Sequence, residues 1–430
     1  MKNRIDRRDL LRLAATAGLA AGLSATVHGQ EKEKPIRVGV IGVGSRGTHL
    51  LRVALGAGVD VPALCDMNEA HLNRAIGVVE KARDGQKPAG YAKGPYDYRR
   101  MLKRDDLDAV IVATPMNLHA EMSIDTLRAG KHVLSEVAAA TTLDECWRLV
   151  RAAEETGKIY MLSENCCYWR HVMQIMNMVR SGVFGQLTFA ECGYVHDGRN
   201  LAFQADGTLN WRGEMARDYF GNRYPTHSLG PVAKWMGINR GDRMVSLVAM
   251  STRGAAMPYY VNKRFPEDHP ARKIKFKCAD STTVLIRTAK DAMIDLRYDT
   301  KSARPHPTTC YYSLQGLKAS YDSRIAGIWI EGRTQGNRWE PAEKHLAEFD
   351  DPLWTEGQEK AKGTGHGGAD FFCVRAFLDA VCSGGPSPID VYDAAAWSSI
   401  IPLSAKSITE GNMPQKIPDF TKGKWEERKV

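Results

Sequence analysis

The sequence predicts an α/β fold in two parts: a doubly wound parallel sheet, then an α+β domain on an open, largely antiparallel sheet. Three observations predict it. Short apolar runs alternate with amphipathic helical segments from Ile36 to Leu162, the pattern of a parallel sheet covered on both faces. A glycine-rich turn, Gly42-Val43-Gly44-Ser45-Arg46-Gly47, joins the first such run to the first helix. After about Asn165, strands follow one another with fewer helices between them, as in an antiparallel sheet.

The elements follow in order. Arg37 to Ile41 reads as a buried strand, Arg46 to Leu55 as a helix ending near Gly56, and Val59 to Cys65 as the second strand. Glu69 to Lys81 has apolar residues at helical spacing, and Gly85 to Pro95 reads as a polar loop. Asp108 to Ala113 is a third strand, ending in Thr114-Pro115. Helix Ala120 to Ala129, strand His132 to Ser135, helix Thr142 to Thr156 with Gly157 as its cap, and strand Ile159 to Leu162 complete residues 36–164. The second domain, 165–430, starts with helix Trp169 to Arg180 and strand Leu187 to Tyr194. A long aromatic, Gly-rich stretch runs to Tyr224, followed by strands at Met244 to Met250, Thr282 to Ile286 and Met293 to Leu296. Helices Asp370 to Cys382 and Ala394 to Lys406 close the chain.

Composition limits the classes of function. With 430 residues, 43% hydrophobic and 25% charged, the chain is an ordinary globular protein of two or three domains. The net charge of +9 first points to nucleic acid. Five basic residues (Lys2, Arg4, Arg7, Arg8, Arg12) and two acidic ones (Asp6, Asp9) stand in the first twelve positions. An Ala/Leu/Gly-rich run to Ala25 and small residues near Gly29 follow. This is a signal-peptide pattern over residues 1–29, and Arg7-Arg8 makes it resemble a twin-arginine leader. A short membrane anchor is the alternative. The remaining charge forms no basic stripe, so no nucleic-acid partner is expected. The leader implies a periplasmic or secreted protein, with the twin-arginine translocon as a partner during export. The nine cysteines include no C-x-x-C pair and read as buried small hydrophobes.

Gly42, Gly44 and Gly47 form G-x-G-x-x-G after a strand and at a helix start. Such glycines allow a tight turn and close backbone approach, and the helix N-terminus attracts a pyrophosphate. Asp66 ends the second strand, where an acid accepts from ribose hydroxyls and repels a 2′-phosphate. That favours NAD over NADP, unless Asp66 only caps the next helix. Glu136, at the end of another parallel strand, is placed to hold the nicotinamide ribose, or else is a capping or solvated acid. On the second domain, Tyr224 and His227 stand three positions apart at a helix start and project the same way. The pair suits proton transfer, although a structural histidine fits the composition equally well. Tyr168, Trp169, Tyr194, Trp211 and Tyr219 add aromatic surface of the kind sugar sites use. His196-Asp197 lacks the companion spacing of a metal site, and no metal is expected.

The Gly42–Gly47 turn, Ala113-Thr114-Pro115 with His119, and Glu136 resemble the glucose–fructose oxidoreductase/inositol dehydrogenase (Gfo/Idh/MocA) family. Glu136-Val137, Glu164-Asn165-Cys166-Cys167-Tyr168, Tyr194-Val195-His196-Asp197, Tyr224-Pro225-Thr226-His227 and Asn239-Arg240-Gly241-Asp242-Arg243 resemble glycoside hydrolase family 109 more narrowly. That resemblance implies an NAD-dependent glycosidase of the α-N-acetylgalactosaminidase kind. NAD oxidises C3 of the sugar, the C2 proton leaves, the C1 substituent is eliminated, water adds, and the hydride returns. It implies that Ser45, Arg46, Asp66, Met116, Asn117, Leu118, His119, Glu136, Val137 and Asn165 line NAD. Tyr194, Arg212, Tyr224, His227 and His306 would face the sugar, with Tyr224 and His227 moving protons. Related dehydrogenases carry Glu-Lys-Pro where this chain has Glu136-Val137-Ala138, and their lysine handles the hydroxyl proton. The family usually has proline at Ala138, tryptophans around Met116 and Leu118, and tyrosine at His306. An NAD-dependent sugar or cyclitol dehydrogenase is the alternative activity, and a homo-oligomer through the open sheet is implied as plausible.

Overall fold

The structure is a computed structural model that describes residues 35–305 and 310–429. The leader (1–29) and His306 lie outside the described residues.

Six parallel strands make the first sheet: β1 (Arg37–Ile41), β2 (Asp60–Cys65), β3 (Ala89–Tyr91), β4 (Ala109–Val112), β5 (His132–Ser135) and β6 (Tyr160–Leu162). Their spatial order is β3-β2-β1-β4-β5-β6, the Rossmann arrangement, which opens a ligand crevice where the order reverses between β1 and β4. Helices α1 (Ser45–Gly56), α2 (Glu69–Ala82), α3 (Asp97–Leu102), α4 (His119–Arg128) and α5 (Leu143–Thr156) connect the strands. Helix α5 has both termination signals. Thr142 and Glu145 form a reciprocal capping box, and Gly157 takes the left-handed conformation at φ 62°, where lack of a Cβ matters most.

The predicted loop at 85–95 contains edge strand β3, paired in parallel with β2. Its sequence, Ala-Gly-Tyr, has no apolar alternation, so only pairing with β2 makes it a strand. A Met116–Leu118 3₁₀ turn precedes α4, and the helix begins one residue earlier than the spacing predicts.

The second sheet contains β7 (Leu187–Val195), β8 (Met244–Ser251), β9 (Thr282–Thr288), β10 (Met293–Asp299), β11 (Cys310–Gly316), β12 (Ala319–Asp322), β13 (Gly327–Ile330), β14 (Glu340–Pro341) and β15 (Gln415–Lys416). Its order is β14-β13-β12-β11-β7-β10-β9-β8-β15. Only β7 and β10 are parallel; every other pairing is antiparallel. The helices are α6 (Arg170–Arg180), α7 (Trp211–Asp218), α8 (Thr226–Trp235), α9 (Ala256–Arg264), α10 (Leu346–Phe349), α11 (Pro352–Ala361), α12 (Ala369–Ser383), α13 (Val391–Ser398) and α14 (Ile400–Thr409). The single helix expected at Ala394 to Lys406 is two, α13 and α14, meeting at Ser399. Pro402 explains the break: without an N–H it is tolerated in a first turn and not in a helix interior.

One hydrophobic core spans both sheets, from Val38 and Val110 to Ile294 and Leu314. Helix α8 lies across β7 and β11, and α12 returns from the C-terminal region to pack on α1. These two helices carry the second domain's contribution to the site. No helix among the described residues is long and apolar enough to cross a membrane.

Candidate functional site

The turn after β1 depends on two glycines. Gly42 has φ +84°, and a Cβ there would lie 2.7 Å from the Ala113 carbonyl oxygen. A Cβ on Gly47 would lie 1.8 Å from the Gly42 carbonyl oxygen. Only glycine lets the turn fold this tightly against β4. Gly44 differs, because a Cβ there would meet only the His71 ring at 3.8 Å. Gly44 therefore faces open space at the start of α1. Among the described residues no side chain caps that helix and no acid stands in its first turn. Its free N–H groups and positive dipole end suit the pyrophosphate of NAD. The Asp66 carboxylate accepts from Val43 N at 2.8 Å and Asn68 N at 2.8 Å, so Asp66 shapes the turn while standing at the ribose position. Asn68, not Asp66, caps α2. These features fit NAD.

Arg46 projects from α1 into a charge network. Its Nε donates to Glu136 Oε1 at 2.7 Å, and its two terminal nitrogens donate to Asp370 at 2.8 Å each. Asp370, fully buried at the start of α12, also accepts from Asn165 Nδ2 at 2.8 Å. His49 and His366 contact its Oδ2 at 2.9 and 2.8 Å. Burial alone would push the Asp370 carboxyl up, but the hydrogen bonds from His366, His49 and Arg46 outweigh it and hold the group far below the usual range. Arg46, Glu136 and Asn165, three of the expected cofactor residues, thus meet in one network.

The other expected cofactor residues occupy the same edge. Ser45 and Asn117 are exposed, while Met116 and Val137 are buried and Leu118 is half-buried. His119 is buried between two carbonyls, Ala138 O and Thr114 O, each 2.8 Å from a ring nitrogen. It ties the β4 edge to the β5 edge, and burial lowers its pKa. The Val137–Ala138 peptide is cis.

His227 lies in the first turn of α8. Its Nδ1 is 2.7 Å from Glu164 Oε1, and Glu164 is completely buried just after β6. Burial opposes a charged ring, yet the Glu164 carboxylate outweighs burial and pushes the His227 pKa up to about 9. Glu164 is held below its usual value by the same pairing, against its own desolvation. Nδ1 carries a proton toward Glu164, which leaves Nε2 as the working nitrogen. Tyr194, Tyr224 and His227 form a ring cluster with centroids 5.1 to 5.5 Å apart. Burial and the Glu136 carboxylate raise the Tyr224 pKa, so it is a neutral phenol. In the sheet, Tyr194 stands opposite Tyr298 on β10 and Cys310 on β11. Tyr224, Trp211 and Met215 each pack against a small cluster of Met116, Ala138 and Ile401, which joins the expected cofactor residues to the expected sugar residues. Arg212 is exposed, its guanidinium 4.2 Å from the Trp211 ring centroid. Arg304 is anchored to Asp299 at 3.2 Å, just before the undescribed His306.

Residues 168–427 match the family described as glycosyl hydrolase 109, C-terminal domain. A Solibacter usitatus protein named as a glycosyl hydrolase family 109 protein is 39% identical, covering 99% of both chains. The chain belongs to glycoside hydrolase family 109. Residues 36–164 match the NAD-binding Rossmann fold of the Gfo/Idh/MocA oxidoreductase family. A Tannerella forsythia protein named alpha-N-acetylgalactosaminidase is 34% identical, with 97% of each chain covered. A levoglucosan dehydrogenase solved in complex with NADH shares the fold, at TM-score 0.69, 18% identity, and coverage of 90% of this chain and 100% of that one. This family 109 chain is therefore an NAD-binding hydrolase.

Three residues at the candidate site carry no local sequence signal of a functional role. Glu164 stands beside the expected Asn165, but nothing local connects it to His227, 63 positions later. Asp370 follows the run Gly365-His366-Gly367-Gly368, a turn signal that marks a special segment without revealing its partner. Cys310, opposite Tyr194, belongs to a strand the sequence pattern did not indicate.

Proposed function

We propose that this chain is a glycosidase that cleaves an α-N-acetylgalactosaminide or a related glycoside without net redox change. The carrying observation is the buried Glu164–His227 pair at 2.7 Å beneath the rings of Tyr194 and Tyr224. The name of the Tannerella relative supports the substrate class.

Gly44, the start of α1, Asp66, Arg46, Glu136 and Asn165 would hold NAD. Bound NAD supplies a hydride acceptor for C3 of the sugar and returns that hydride after cleavage. Three protons must move during cleavage. The C3 hydroxyl loses one as it becomes a ketone, C2 loses one made acidic by that ketone, and the C1 oxygen takes one up on leaving. Val137, the position of the dehydrogenase lysine, is buried and apolar and can move none of them. His227 Nε2 removes the C2 proton in the ring's neutral form, with Glu164 orienting the ring through Nδ1. The Tyr224 hydroxyl, kept protonated by burial, donates to the C1 oxygen. The aromatic cluster presents flat apolar surface to the sugar; the C3 hydroxyl proton passes to water, and water adding at C1 restores the Tyr224 proton while His227 returns one to C2.

Aryl α- and β-glycosides supplied without added NAD, with turnover run in D₂O, test the reading. Aglycone release with deuterium at C2 is the expected result. Stoichiometric NADH that requires added NAD⁺ would overturn it in favour of a sugar dehydrogenase.

The Arg7-Arg8 leader supports export by the twin-arginine route with NAD already bound, to the periplasm or beyond. A cofactor that is never consumed fits a compartment where it cannot be replaced. Met250, Leu285 and Met293 are exposed on the open sheet face, which supports self-association there. Light scattering of wild type and Leu285→Lys tests that part: loss of an oligomer is expected, and a monomeric wild type refutes it.

A further inference from the structure

Composition predicts buried, inert cysteines, but two of them stand at the base of the site. Cys166 Sγ, a Glu164 carboxylate oxygen and a His227 ring nitrogen all lie within 4.8 Å of one another, and Nδ1 is the nitrogen 2.7 Å from Glu164. Cys166 and Glu164 are buried, and the His227 side chain is 16% exposed, which leaves a way in from the pocket. The second Glu164 oxygen faces the Thr226 hydroxyl without a well-aligned hydrogen bond. The Cys310 thiol neighbours both Cys166 and His227.

We infer that Glu164, Cys166 and His227 form a site for a thiophilic divalent cation such as Zn²⁺ or Cd²⁺, with a water molecule as fourth ligand, and that its occupation inhibits the enzyme. The donor set selects the ion. Thiolate, imidazole and carboxylate together suit zinc-like cations, whereas Mg²⁺ and Ca²⁺ require oxygen ligands. Charge balance favours occupation. Starting from the imidazolium, the cation displaces the thiol proton of Cys166 and the Nδ1 proton of His227, so two protons leave and Nε2 keeps its own. Dication, thiolate and carboxylate then sum to zero, and a buried site tolerates a neutral assembly far better than an unpaired charge. The 2.7 Å hydrogen bond between Glu164 and Nδ1 is replaced by two metal bonds. The ring is then pinned through Nδ1 and its Nε2 loses basicity, which stops proton transfer at C2.

The inhibition rests on the proposed glycosidase activity, but binding does not, so two readouts are used on the full NAD-bound chain stripped of metal by a chelator. The first is Zn²⁺ inhibition of aryl glycoside cleavage in wild type and in Cys166→Ala. Inhibition reversed by chelator in wild type, and weakened about tenfold or more in the variant, is expected. Equal inhibition of both proteins overturns the site. The second needs neither activity nor a variant: the X-ray absorption spectrum of the Zn²⁺-loaded wild type. A shell containing sulfur at about 2.3 Å with nitrogen and oxygen is expected. A shell of oxygen and nitrogen alone, or no bound zinc, refutes the proposal even if Cys166→Ala does not fold. A chain without glycosidase activity that still shows the sulfur shell refutes the function and leaves the metal site standing.

Discussion

The cofactor edge and the proposed sugar pocket of this molecule are specified in different ways. At the cofactor edge the backbone does most of the work: Gly42 folds against Ala113, and Gly47 against Gly42, at separations no Cβ permits, and α1 opens without a side-chain cap. Charge there is spread over a network in which Asp370 alone meets four side chains. In the proposed sugar pocket side chains do most of the work, and the Glu164–His227 pair sits under the rings of Tyr194 and Tyr224. The difference teaches what each region can lose. Damage to the edge should release NAD, and damage to the pocket should stop chemistry with NAD still in place.

His227→Ala is the strongest way to separate the two. Loss of a positioned acid–base group lowers kcat/KM by about 10²–10⁴-fold, while NAD released by denaturing the purified variant should equal the wild-type amount. A variant that loses NAD with activity would mean the two regions are one unit.

Asp370→Asn attacks the other side. Removing one partner of a buried charge pair costs about 3 kcal/mol or more, here by leaving Arg46 without its bidentate acceptor. NAD retention through dialysis should fall steeply, and saturating NAD should restore much of kcat. An unchanged NAD content would mean that Asp370 supports folding only.

That these two variants need different reasons reflects what was legible in the sequence. The Rossmann half could be read almost strand by strand, because G-x-G-x-x-G and strand–helix alternation are local patterns. Its exception, β3, consists of three weakly apolar residues that only a neighbour makes a strand. The second sheet was half visible. Strand β11 is nearly buried on both faces, from Tyr311 to Leu314, so it shows no alternation, and β12 to β14 are short. His227 and Tyr224 were legible as a pair at a helix start. Their partners were not, because Glu164 reaches His227, and Asp370 reaches Arg46, across 63 and 324 positions.

The Glu164–His227 pair should also be visible in stability and in the pH profile. The folded His227 pKa of about 9 lies above the unfolded value of about 6.5. The pair's contribution is therefore complete below pH 6.5 and is lost as pH rises through 9, and it amounts to about 3 kcal/mol. Wild-type Tm should fall across that window more than Glu164→Gln does. In the same variant the imidazolium loses its counter-charge while burial remains, so the limb of kcat/KM that rises with pH should move to lower pH. A limb that stays in place would assign the ionisation to another group.

Tyr194→Phe should have the smallest effect, and it tests whether the pocket works through rings or hydroxyls. The substitution leaves the ring against Tyr224 and His227 at centroid distances of 5.4 and 5.5 Å. If Tyr194 is a wall, kcat should hold and KM should rise by no more than about tenfold, the worth of one hydrogen bond to the sugar. Tyr224→Phe keeps a similar ring but removes the proton assigned to the C1 oxygen, so its loss should fall on kcat. It should be largest for glycosides with poor leaving groups, whose oxygen most needs that proton. Equal losses in the two variants would mean that neither hydroxyl donates to the leaving oxygen. Proton transfer at C1 would then rest on His227, with its Nε2 carrying the C2 proton across to the departing oxygen.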